Sequence, residues 1–112
     1  MKICPYLESS FEILGRRWNG LIVHYLFNCP NYCAHFSDMK KDLTDITPRA
    51  LSLKLTELAE HGLVEKKTTV EPSVQISYHL SVAGQELAEA LKPVHAWAKQ
   101  HITLEKGKKH DD

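Results

Sequence analysis

Apolar residues recur at helical spacing in five stretches of the chain. From Pro5 to Gly15, Leu7, Phe11 and Leu14 fall at i, i+4 and i+7 with Glu8 and Glu12 opposite, which predicts a short amphipathic helix ended by Gly15. Trp18 to Phe27 is too apolar for a surface helix and predicts a central, mostly buried one that stops at Asn28-Cys29-Pro30. Cys29 to Ala34 is a turn-rich connection, and His35 to Leu43 reads as a short helix with Phe36, Met39 and Leu43 on one face. Leu51, Leu55 and Leu58 form the buried stripe of a fourth helix, about Pro48 to His61. Thr47 can cap it, Pro48 suits its first position, and Gly62 stands where a left-handed residue closes a helix.

The pattern then changes period. Val64 to Val70 alternates loosely, Glu71-Pro72-Ser73 makes a tip, and Val74, Ile76, Tyr78 and Leu80 alternate at period two, so a two-stranded hairpin is predicted. The last helix starts near Ser81 and carries Leu87, Leu91, Val94, Ala98 and His101 at heptad-like spacing beside Trp97. Pro93 lies inside it, removes the bond to residue 89 and predicts a kink. Helix, turn, helix, Gly stop and hairpin is the order of a winged helix-turn-helix. The expected fold is mainly α with a small two-stranded β wing, an α+β arrangement with N- and C-terminal dimerisation helices. Residues 1–112 form one domain with a core over about 4–102, and 105–112 are expected to be a flexible tail.

That order points to a regulator of transcription that binds double-stranded DNA. The first turn of a recognition helix meets base edges and phosphates, so Thr47, Pro48, Arg49, Ser52, Leu53, Lys54 and Thr56 are the candidate contacts. Leu53 either touches a thymine methyl or pads the wing. Lys66, Lys67 and Thr68 on the wing, and Arg16 and Arg17 ahead of the second helix, are candidate phosphate contacts. Global charge lends no support, because 14 basic residues balance 14 acidic ones. A winged helix used only as a protein-interaction module is therefore the rival reading.

Other chemistry has little footing. Cys29, Cys33 and His35 form C-x3-C-x-H, but a structural zinc site needs four ligands and the other histidines lack paired spacing, so no metal or cofactor is expected. The sequence has no Gly-rich phosphate loop and no nucleophile elbow, which excludes the common enzyme classes. Without an apolar run of about 18 residues or a signal-peptide pattern, a cytoplasmic protein is expected, with its three cysteines as free thiols. Leu7 and Phe11 with Leu87, Leu91, Val94, Trp97 and Ala98 predict an isologous homodimer built from both ends of the chain.

In order along the chain stand Cys4-Pro5, Leu14-Gly15-Arg16-Arg17-Trp18, Phe36-Ser37-Asp38-Met39, Ile46-Thr47, His61-Gly62-Leu63-Val64-Glu65, Tyr78-His79-Leu80-Ser81 with Gly84, and Trp97. This series resembles the HxlR-type family of bacterial winged-helix regulators, relatives of the MarR group, over about residues 4 to 98. The resemblance implies a homodimer on a palindromic operator, and this regulator is expected to be a repressor. It further implies that in some members a cysteine near the N-terminus senses oxidants or electrophiles. Cys4 is the matching residue, and a helix N-terminus favours the reactive thiolate. Cys29 and Cys33 are competing thiols. A small effector held without a covalent bond between the dimer helices, near Trp97, Tyr6 or Phe11, is the alternative. Three departures stand out: Cys29 where the family has Gly before Pro with a longer loop after it, Pro48 and Leu53 in the recognition helix, and no cysteine after Cys33.

Overall fold

Thr47 Oγ1 accepts a hydrogen bond from the Ala50 N–H at 3.1 Å and Pro48 occupies the first turn, so the fourth helix begins where the sequence places it. The computed structural model describes residues 1–104. In it α1 spans Pro5–Leu14, α2 Asn19–Phe27, β1 Cys33–His35, α3 Phe36–Asp42, α4 Pro48–Glu60, β2 Val64–Thr69, β3 Gln75–Leu80 and α5 Val82–His101. The α+β winged helix-turn-helix is present, with α3 and α4 as its two helices and β2–β3 as its wing. The tail expected over 105–112 lies outside the described residues.

Two local readings need correction. The sheet has three antiparallel strands in the order β1-β3-β2, not two. Cys33–His35 pairs with Ser77–His79, in the stretch read as a connection and the start of a helix. A strand of three residues has no periodicity to detect, and its backbone groups are claimed by β3. The second difference is at α2, which starts one residue later than expected, with Trp18 in the left-handed region at φ 84°. No side chain caps that start; the Asn19 N–H donates to the Arg16 carbonyl at 3.3 Å instead.

The core lies between α2, α3, α4 and the sheet. Ile22, Val23, Leu26, Met39, Leu51, Leu55 and Leu58 are fully buried, joined by Ile46, Leu63, Val64, Tyr78, Leu80 and Ala88. The stripe on α4 is the predicted one, and its burial fixes which face of that helix is left outward. Gly62 closes α4 at φ 75°. Ser81 then joins three elements: its hydroxyl donates to the Gly62 carbonyl at 2.6 Å and accepts from the Gly84 N–H, and its own N–H donates to the Leu63 carbonyl. α5 is thereby fixed to the root of the wing, and it continues through Pro93 to His101.

The two terminal helices carry much of the apolar surface that the core does not use. α1 has no buried residue, and Tyr6, Leu7 and Phe11 are exposed. On α5, Leu87 packs against the chain's own core, whereas Val94 and Trp97 remain more than half exposed. Leu91 and Ala98 are half-buried.

Candidate nucleic-acid interface

Burying Leu51, Leu55 and Leu58 turns Arg49, Ser52, Leu53 and Thr56 to solvent on the opposite face of α4. Leu53 is 63% exposed, so it forms part of this outward face. The Thr56 hydroxyl donates back to the Ser52 carbonyl at 3.0 Å and is thereby engaged within the helix. Thr47 and Pro48 serve the start of the helix, the hydroxyl of Thr47 being taken up in the cap. The outward face of α4 thus carries a cation at its start, Arg49, and a carboxylate at its end, Glu60, with hydroxyl and isobutyl groups between them, so the positive end is the one suited to phosphate and base edges.

The wing splits its candidates between two faces. Lys66 pairs across the sheet with Tyr78, Thr68 with Ile76 and Lys67 with Ser77. Residues directly opposite share a face, so Lys66 and Thr68 stand on the core side and Lys67 on the outer side, all exposed. Lys66 and Lys67 therefore project in opposite directions and cannot act as one basic pair.

Lys54 and Arg16 meet at a group the sequence reading passed over. Lys54 Nζ lies 3.8 Å from one Glu57 carboxylate oxygen and Arg16 Nη1 lies 3.9 Å from the other. Glu57 also accepts a hydrogen bond from Asn19 Nδ2 at 2.7 Å, and the same nitrogen donates to the Ile13 carbonyl at 2.9 Å. The Asn19 bond, helped by the charges of Lys54 and Arg16, holds the Glu57 carboxyl below its ordinary range against the opposing effect of burial. Asn19 is fully buried, and its Oδ1 has no partner among the described residues. Arg17 lies apart from this group, its guanidinium 4.5 Å from the centre of the Trp18 ring. The i, i+3 spacing of Lys54 and Glu57 was visible in the sequence; the link from Asn19 to Glu57, 38 residues away, was not.

The three thiols have different surroundings. Cys4 is exposed at the N-cap of α1, its carbonyl accepting from the Glu8 N–H at 3.0 Å. Cys29 and Cys33 are half-buried and line a cleft of about 480 Å³ with Tyr25, His35, Asp38 and Asp42. Burial pushes the Cys29 thiol up, as it does the Tyr25 phenol, which donates to Asp42 Oδ2 at 2.6 Å. Among the described residues no group of three or more His, Cys, Asp or Glu side chains is arranged to hold a metal ion. No described helix is long and apolar enough to cross a membrane.

Residues 13–106 match the family model described as HxlR-like helix-turn-helix. The chain is 35% identical over 98 residues to the HTH-type transcriptional regulator YodB of Bacillus subtilis (strain 168), covering 88% of this chain and 85% of that protein. The fold is similar to the solved reduced form of YodB, with a TM-score of 0.78 at 33% identity over 90% of this chain and 96% of the other. It is also similar to the quinone-bound YodB structure, with a TM-score of 0.71 at 32% identity over 87% and 99%.

Proposed function

The chain belongs to the HxlR-like helix-turn-helix family of transcriptional regulators, and we propose that it acts as a cytoplasmic homodimeric repressor that places two α4 helices in successive major grooves of a palindromic operator. The observation that carries this reading is the outward face of α4. Arg49, Ser52, Leu53 and Thr56 lie together on a helix whose other side is locked in the core and whose start is capped. Lys67 on the outer side of the wing supplies a phosphate contact, and Lys66 and Thr68 flank it from the other side. The near-neutral net charge places the electrostatic attraction in these few local cations rather than in the field of the whole protein.

Arg49→Ala is expected to weaken binding to a selected operator by about 1 to 3 kcal/mol. Lys67→Ala is expected to weaken all duplexes alike and to lower the salt slope by about two, roughly one for each protomer of the dimer. Fluorescence anisotropy with the selected duplex and a scrambled one separates the two effects. If both variants bind like the parent, the assignment of α4 and the wing is wrong.

We further propose that Cys4 receives electrophiles or oxidants. The relative named above was solved with a quinone bound, and Cys4 is the exposed thiol of this chain, whereas Cys29 is hindered by burial and held toward its neutral form. A quinone adds by attack of the Cys4 thiolate on a ring carbon. The new C–S bond forms as the ring electrons move onto a carbonyl oxygen, which is protonated; the hydrogen on the attacked carbon then leaves as a proton and the second oxygen gains one, giving a substituted hydroquinone. Cys4→Ser is expected to bind the operator normally and to stay bound after benzoquinone treatment, while a Cys29→Ser/Cys33→Ser protein is released like the parent. Release of Cys4→Ser by the quinone would move sensing to the cleft thiols or to an effector held without a covalent bond.

A further inference from the structure

We infer that Glu57 is a positioning residue that ties α1 to the recognition helix and serves as counter-charge to Lys54 and Arg16 until duplex phosphates take them; the inference rests on the DNA-binding reading above. One buried amide nitrogen, Asn19 Nδ2, spans from the carbonyl of Ile13 in the last turn of α1 to the carboxylate of Glu57 on α4, at 2.9 and 2.7 Å. Asn19 is fully buried, so it cannot swing to follow either partner. Hydrogen bonds weaken steeply with small departures from this geometry, so a movement of α1 of about an ångström must carry α4 with it or break the link. α1 itself lies on the surface with no buried residue, which makes this junction its principal polar hold on the body of the protein.

The carboxylate has a second task. Lys54 and Arg16 both lie within 4 Å of it, and at 24% exposure the Lys54 side chain is folded back rather than extended to solvent. Phosphates of a bound duplex compete with Glu57 for these two cations, so the apparent number of counterions released reflects the charge at position 57.

The test uses the full chain and a duplex the parent selects from random sequence, with a scrambled duplex beside it. Glu57→Gln keeps an oxygen to accept from Asn19 and loses only the charge. It is expected to retain the parent's preference for the selected duplex within about twofold, while the salt slope steepens by about one to two as Lys54 and Arg16 are freed. Glu57→Ala loses the link as well. It is expected to lose about tenfold or more of that preference, the value of one hydrogen bond to a charged group, while binding the scrambled duplex at least as well as the parent does. A merely structural role would lower the melting temperature and leave preference and slope alone, and that result overturns the inference. Should Glu57→Ala fail to fold, Glu57→Gln decides: a slope equal to the parent's overturns it. A parent that binds no duplex sinks the DNA-binding reading, and this inference with it; a parent that binds and a Glu57→Ala that matches it sink only the role of Glu57.

Discussion

Gly84→Ala is expected to destabilise the chain by about 2 kcal/mol, lowering its melting temperature by about 10 °C. A Cβ at this position would run into the Leu63 carbonyl oxygen and come within 2.9 Å of Leu80 Cδ2. The carbonyl cannot give way, because it accepts the Ser81 N–H at 3.0 Å and so helps hold α5 to the wing. Alanine gains at most about 1 kcal/mol of helix propensity over glycine, less than overpacking against backbone costs. Gly62→Ala gives the contrast. A Cβ there meets nothing within 4 Å, and the penalty of about 1 kcal/mol comes only from holding alanine at φ 75°. Thermal melts of the two variants should rank Gly84→Ala below Gly62→Ala, and the reverse order would mean that α5 does not sit this closely on Leu63.

Val94→Glu combined with Trp97→Glu is expected to yield a folded monomer whose operator affinity falls by about 100-fold or more, the loss that follows when two linked contacts become one. Both side chains are more than half exposed in the single chain, so the charges spare its core. Tyr6, Leu7 and Phe11 on α1 are exposed as well, and in the proposed dimer they belong to the same contact. Leu87 is a poor probe of the same contact, since it packs against the chain's own core and a charge there would disturb folding first. Sedimentation at micromolar concentration reads the result directly. A parent already monomeric there would remove the proposed dimer.

Much of this architecture was legible because it is written in local grammar. Thr47-Pro48 and Ser81 announce helix starts, Gly62 a helix end, and Leu51, Leu55 and Leu58 one buried face; each signal needs only a few neighbouring residues, and each appears in the structure as read. β1 was illegible for the opposite reason, since Cys33–His35 is a strand only because Ser77–His79 pairs with it. Trp18 gives no sequence sign of its left-handed backbone, a conformation rare for a bulky residue. At the candidate interface, the outward side chains of α4 followed from its buried stripe. The inward turn of Lys54 depends on Glu57, and Glu57 on a buried amide 38 residues earlier. Polar pairings over that distance have no period, so only the folded chain shows them.

The central claim, that this chain binds duplex DNA through α4 and the wing, is tested most directly by a salt titration of the intact protein on a duplex it has selected. Two protomers, each placing at least Arg49 and Lys67 on phosphates, should give a logarithmic slope of roughly −4, with binding tight at about 50 mM salt and much weaker at about 200 mM. Binding absent at the lower salt, or unchanged between the two, would contradict the claim and leave the winged helix as a surface for protein partners.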